Sequence, residues 1–394
     1  MESIKDKVAI IGMGCTRFGE WWDKDFDDLV IDAASEAFED AGVGPRDIQA
    51  AWVGSMCNFS GAAISAPLQL QYIPVTRVEN ACATSAEALR AAVFALIAKV
   101  YDLVLAVGVE KQKDIGYAGL DPRFTSEKWH PVYGFGISAP ARYALAATRY
   151  FHRYGLSPVE GKTTLAKISV KSHHNGARNP RAHLRREVTL EQVINAPIIA
   201  WPLGLLDCCG VTDGAAAAIM CRAEDAKHFK DSYVTIKAFG ISVGPGQGRI
   251  RTDYDFTHWD ETEYAARQAY EMAGINDPRK ELDVAEIHDA FSICELIGTE
   301  SLGFCPKGRA KEDVDAGSFA QEGELPINIS GGLKSFGHPI GASGCREVYE
   351  IYSQMLHKAQ EPSRQLPKVE LGLTHNQGGS PGKFMCGITI LGMP

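Results

Sequence analysis

The sequence predicts an α/β fold built from two copies of one unit. Three observations carry this expectation: strand-like and helix-like segments alternate, the same order of segments occurs twice, and a short reactive-looking segment precedes the corresponding helix in each copy. Short apolar runs ending in glycine read as buried strands, and longer stretches of helical period ending in glycine read as helices.

The first copy opens on Val8-Ala9-Ile10-Ile11-Gly12-Met13-Gly14, a strand. A helical pattern runs from Asp27 to Ala41 and stops at Gly42, and Ile48 to Val53 reads as the next strand. The second copy repeats this order with strand Val234 to Ile241, helix Glu263 to Ala273 stopped at Gly274, and strand Leu282 to Ile287. The alanine-rich helix Ala83 to Lys99 leads into strand Leu103 to Val107, and helix Ser343 to His357 leads into strand Val369 to Leu373. Such alternation predicts parallel sheets covered by helices. The halves are 1–232 and 233–394, and packed face to face they bring the two helix starts together. Lys111 to about Trp201 has no counterpart and reads as an inserted lid or substrate-binding subdomain. It carries Trp129, Tyr133, Phe135 and Tyr143, then Lys171, Arg178, Arg181, Arg185 and Arg186, before strand Gly214 to Met220 resumes the core.

Composition narrows the function. Of 394 residues, 45% are hydrophobic and 23% charged, an ordinary globular balance, and the net charge of -9 gives no basic footprint for nucleic acid. No apolar run is long enough to span a bilayer, and no signal peptide is expected ahead of the first strand. Ten cysteines occur without a C-x-x-C pair, so no zinc cluster is expected and a reducing cytoplasm is.

Cys82 stands at the mouth of the alanine-rich helix, with Thr84-Ser85-Ala86-Glu87 as capping chemistry. Unpaired N–H groups and the positive helix end are expected to lower a thiol pKa there and favour covalent catalysis, although a cysteine before a helix also serves as a small apolar residue. His338, in the glycine-dense stretch Ser330 to Gly344, occupies the corresponding place of the second copy and is a candidate base or oxyanion donor. His288 ends the strand Leu282 to Ile287, at the edge where α/β folds place their sites. After the strand Val369 to Leu373, His375-Asn376-Gln377-Gly378-Gly379 offers the Gly378 backbone N–H to an oxyanion, or forms a hairpin before strand Phe384 to Leu391.

Glu79-Asn80-Ala81-Cys82-Ala83-Thr84-Ser85, His288-Asp289-Ala290-Phe291, Gly337-His338-Pro339 and Asn376-Gln377-Gly378-Gly379 resemble, in this order and over essentially the whole chain, the thiolase superfamily, in its sterol-carrier-protein-type and archaeal-type branch. The resemblance implies a thiolase-like five-layered αβαβα fold of two duplicated βαβαβαββ halves with an inserted loop subdomain, as a homodimer or dimer of dimers. It implies an acyltransferase in which Cys82 carries the acyl group, His338 activates it, and His288 with His338 holds the second thioester oxygen. The backbone N–H groups of Cys82 and Gly378 would form the other oxyanion hole, because the chemistry develops charge on two oxygens. Coenzyme A is implied as substrate, with no permanent cofactor. Its phosphates would meet Arg178, Arg181 and Arg185, which otherwise form a solvated face. A small zinc-ribbon and OB-fold protein is an implied partner, without nucleic acid or membrane. Substrates suggested within the branch are acetoacetyl-CoA and an aromatic 3-oxoacyl-CoA such as 2-benzoylsuccinyl-CoA. Other readings are a thiolase-fold aldolase, a decarboxylating condensing enzyme, and a non-catalytic acyl-CoA-binding scaffold.

The departure from the family pattern is equally specific. Most thiolases carry a second catalytic cysteine, and the resemblance places it in one branch at the position of Asn376 and in the sterol-carrier-type branch at that of Ala290. Neither holds a thiol here, which leaves the proton shuttle unassigned between His338, His375, a water and a partner protein, with Asn376 and His375 as candidate supporting residues. Cys386 falls in the last strand, where a structural role is expected.

Overall fold

The structure, a computed structural model, describes residues 3–58, 60–115 and 138–394. Trp129, Tyr133 and Phe135 lie outside the described residues.

In the first half, β1 (Val8–Cys15), α1 (Phe26–Ala41), β2 (Ala50–Gly54), α2 (Ala62–Ser65), β3 (Val75–Val78), α3 (Thr84–Ile97) and β4 (Leu103–Lys111) follow in order. The insertion contributes α4 (Ala139–Tyr154), α5 (Pro158–Arg178) and the small hairpin β5 (Ile198–Ala200) and β6 (Leu203–Gly204), before β7 (Asp213–Arg222) closes the half. The second half contains β8 (Val234–Val243), α6 (Asp260–Ala273), β9 (Val284–Ile287), α7 (Ser292–Ser301), α8 (Ser343–Met355), β10 (Leu371–Ser380) and β11 (Lys383–Gly392). Both glycine stops behave as expected. Gly42 and Gly274 close their helices at φ +69° and +81°, a left-handed conformation that glycine adopts without steric cost.

The large sheet runs β3-β2-β4-β7-β1-β8-β11-β10-β9. Its halves meet only at a seam where Ala9 and Ile10 pair with Thr235 and Val234. Helix α1 covers one outer face, α6 covers the other, and α3 and α8 lie between. Three separate hydrophobic clusters fill the spaces so created. Helix α8 is buried on all sides, as a central layer requires. The duplication is incomplete: the second-half counterpart of β3 is a single parallel bridge from Ala285 to Ile327.

The expectation of parallel sheets needs correction. β2–β3, β2–β4 and β9–β10 are parallel, whereas β4–β7, β1–β7, β8–β11 and β10–β11 are antiparallel. The physical reason lies in the connections. The long insertion lets β7 return against β4, and Pro381-Gly382, with Gly382 at φ +80°, turns β10 directly into β11. The hairpin therefore falls beyond the His375–Gly379 motif, which is itself part of β10.

Candidate active site

The starts of α3 and α8 are hydrogen-bonded to each other. Ser85 Oγ accepts from the Cys345 backbone N–H at 2.9 Å, and Gly108 and Gly344 allow this approach. A Cβ at Gly108 would lie 2.4 Å from Gly341 O, and one at Gly344 2.5 Å from Asn376 Oδ1. The contact places Cys82, just before α3, beside His338, just before α8, with His338 Nε2 3.3 Å from Cys82 Sγ.

Ser343, the first residue of α8, sets the tautomer. Its hydroxyl donates to Pro339 O at 3.0 Å, so it accepts from His338 Nδ1 at 2.7 Å. The ring proton is thus on Nδ1, and Nε2 is a bare acceptor facing the thiol. His288 completes the cluster. One ligating atom each of Cys82, His288 and His338 lies within 4.8 Å of the others, and the two imidazoles meet edge to face at 5.3 Å between centroids. His288 is 2% exposed, and its Nδ1 has no partner among the described residues.

The expected acidification of Cys82 is corrected. Burial, reinforced by the carboxylates of Glu79, Glu110 and Glu347, pushes the thiol up to about 12. The helix start is also shifted: Ala83 is its N-cap without a side-chain cap, and the Thr84 hydroxyl instead accepts from Asn80 N at 2.9 Å. Burial and Arg346 pull His338 down to about 3. The resting pair is neutral thiol and neutral imidazole rather than thiolate and imidazolium. Ala81, immediately before Cys82, is held at φ +49°, a strained position for a residue with a Cβ.

Gly378 lies directly against the Cys82 loop, since a Cβ there would sit 2.6 Å from Cys82 N and 2.9 Å from Asn80 O. Pairing of β9 with β10 stops at Ile287–His375, so beyond His375 no strand among the described residues lies along that edge of β10. The hydrogen bonds of Asn376 and His375 run to groups other than the thiol. Asn376 Nδ2 donates to Glu347 Oε2 at 2.8 Å. The His375 ring lies between Thr262 Oγ1 at 3.0 Å and the His288 N–H at 3.4 Å, supporting His288 from below. Cys386 is 1% exposed in β11 and packs in the core, as expected.

Two of the arginines expected at coenzyme A phosphates are engaged elsewhere. Arg181 forms a two-bond pair with Glu36 of α1 at 2.7 and 2.8 Å, and Arg178 binds Asn175 and Gln321 at 3.1 and 2.9 Å. Arg185 is exposed. A cavity of about 460 Å³ opens beside Glu36, Asp40, Lys230 and Tyr352, and none of its lining residues belongs to the Cys82 cluster.

Glu110, at the end of β4, is fully buried and accepts from the Met56 N–H, and a Cβ on Gly341, three residues after His338, would lie 2.7 Å from its Oε1. Burial raises it from 4.5 to about 7. The folded protein therefore binds the extra proton between these values, and stability falls as pH rises through that window. Glu110→Gln removes this dependence. Urea midpoints at pH 5 and pH 8 should show the wild type losing about 3 kcal/mol more than the variant.

A thiolase N-terminal domain model matches residues 8–224, and a thiolase C-terminal domain-like model matches residues 246–390. The chain belongs to the thiolase family. It is 38% identical to an acetyl-CoA acetyltransferase of Methanothermobacter thermautotrophicus, covering 95% of this chain and 97% of the relative. It is 41% identical to that of Methanocaldococcus jannaschii over 95% and 96%. Identity to the benzoylsuccinyl-CoA thiolase subunit BbsB of Thauera aromatica is 32%, again over 95% and 96%. Among solved structures, the Ltp2-ChsH2(DUF35) aldolase superposes with a TM-score of 0.83 at 24% identity, covering 99% of this chain and 98% of that one, a likeness of fold. This thiolase is thus an enzyme of the acyl-CoA acyltransferase type, and no described helix is long and apolar enough to cross a membrane.

The sequence did not single out Ser343, Arg346 or Glu347, and it gave Ser85 only a capping role. Their roles arise where the two halves meet, and local pattern does not report that. The serine one residue before Gly344 was the available signal for Ser343.

Proposed function

We propose that this thiolase cleaves or forms a 3-oxoacyl-CoA through an acyl-cysteine at Cys82, with coenzyme A as acceptor. The supporting observation is the 3.3 Å approach of a correctly tautomerised His338 Nε2 to Cys82 Sγ. In cleavage, His338 takes the thiol proton as sulfur attacks the 3-oxo carbon. The charge on that oxygen is met by the Cys82 and Gly378 N–H groups. The C2–C3 bond then breaks, and the departing thioester enolate oxygen is held by His288 and His338. Coenzyme A thiol finally displaces Cys82 from the acyl group.

Acetyl has the stronger support as the transferred group, because identity to the two acetyl-CoA acetyltransferases exceeds that to the benzoylsuccinyl-CoA thiolase subunit. Of the aromatics behind the bulkier reading, Tyr143 is 4% exposed and packs on Phe291 at 4.5 Å. We also infer a homodimer or dimer of dimers and a small zinc-ribbon and OB-fold partner. The DUF35 component named for the aldolase structure supports looking for such a partner.

Intact mass after incubation with acetyl-CoA or acetoacetyl-CoA tests the central step. The wild type gains one acetyl group and Cys82→Ala gains none. An unmodified wild type, or equal labelling of both, removes the acyl-cysteine. Aldehyde release without coenzyme A, or carbon dioxide from a malonyl thioester, would instead mark an aldolase or decarboxylating enzyme. Coenzyme A binding without turnover would mark a scaffold.

A further inference from the structure

We propose that Cys209 is the second thiol of this reaction, giving a proton to the substrate carbon and taking one from coenzyme A; this rests on the acyl-cysteine reading above. The pattern of the sterol-carrier-type branch places that thiol at Ala290. Backbone pairing brings Cys209 to the same place from another part of the chain.

Cys208 and Phe291 form an antiparallel bridge, and the Cys209 N–H donates to Ala290 O at 2.8 Å. In this register Cys209 stands directly opposite Ala290. Opposed residues in an antiparallel pair project to the same face, with Cβ atoms about 4.5–5.5 Å apart. Cys209 therefore offers its sulfur beside the slot that Ala290 leaves short. Ala290 is two residues from His288, which has its unpartnered Nδ1 and shares a cluster with Cys82 and His338. The intervening Asp289 is directed elsewhere, accepting from Leu333 N at 2.5 Å and Ser172 Oγ at 3.2 Å.

The other thiols fit less well. Four cysteines are partly accessible: Cys57, Cys82, Cys208 and Cys209. Cys57 is bonded to Glu110, and Cys208 is opposite Phe291 with its sulfur 3.4 Å from Gly204 O. Cys294 is 2% exposed within α7. Burial, then the neighbouring Cys208 and Cys82, hold the Cys209 thiol in its protonated form, as a donor to a carbanion requires.

The balance is complete. After the C2–C3 bond breaks, the Cys209 S–H proton passes to C2 of the enolate, forming the C–H bond and leaving a thiolate. That thiolate takes the proton of incoming coenzyme A, whose sulfur forms a bond to the acyl carbon as the bond to Cys82 breaks. The Cys82 thiolate regains its proton from the His338 imidazolium.

The test separates the half-reactions in Cys209→Ala and Cys209→Ser. Acetylation of Cys82 by S-phenyl thioacetate, whose leaving thiolate needs no proton and so makes no use of Cys209, is read by intact mass and expected within about threefold of wild type. Solvent deuterium exchange into the acetyl-CoA methyl group and thiolysis of acetoacetyl-CoA are expected to fall at least about 100-fold. Ala290→Cys in the Cys209→Ala background should recover at least about tenfold of the exchange, a rescue that a packing role does not produce. Wild-type exchange in Cys209→Ala, or loss of exchange and acetylation together without rescue by Ala290→Cys, overturns the assignment. A wild type that never acetylates Cys82 overturns the acyl-cysteine reading itself.

Discussion

Replacing His338 by alanine is expected to slow acylation of Cys82 by about 10³-fold at pH 7, within the range for loss of a general base. The cause is the state of the resting pair. With the thiol pushed up to about 12 and His338 pulled down to about 3, almost no thiolate exists at neutral pH, and in the proposed mechanism the imidazole takes the proton as the carbon–sulfur bond forms. The pH dependence therefore distinguishes wild type from variant. Between about pH 6 and pH 9 neither group of the pair titrates, so the wild-type rate should be level. His338→Ala depends on the free thiolate fraction, and its rate should rise about tenfold per pH unit, since the thiol stays below its pKa throughout. Single-turnover mass measurements of the acetyl adduct would show both trends. A preformed thiolate, as the helix position alone suggested, predicts a level profile for the variant as well.

The contrast shows what a linear pattern reports. The two-copy architecture was legible because each copy repeats strands, helices and glycine stops in order, and the pairing of Cys82 with His338 followed from their equivalent places. Three things were not legible. Burial reverses the expected pKa shift of Cys82, and it depends on residues such as Glu347 far along the chain. Strand direction was misjudged because the alternation of elements does not encode how a long insertion returns, as β7 does beside β4. Arg181 resembles a phosphate ligand in a basic run, but its partner, Glu36, is on α1, 145 residues earlier in the chain.

The elements carrying the site are joined by one buried polar network, and this gives the second large expected effect. Arg346 of α8 is fully buried, with Nη1 2.8 Å from Glu286 Oε2 on β9 and 2.7 Å from Ser330 Oγ, and its guanidinium lies 4.7 Å from the Phe336 ring centroid. Glu286 precedes His288 by two residues, and Ser330 begins the glycine-rich stretch that leads to His338. The adjacent Glu347 holds Asn376 on the strand that presents Gly378. Arg346 is thus the one cation in direct contact with Glu286 among the described residues. Arg346→Ala should cost about 3–5 kcal/mol in urea denaturation, because it leaves a buried carboxylate uncompensated and opens a cavity beside Phe336. Arg346→Met with Glu286→Gln should recover more than half of that loss, because the uncompensated charge is then gone while most of the volume remains. Equal losses in the single and double variants would mean that packing by the guanidinium, rather than the charge left on Glu286, holds β9 against α8.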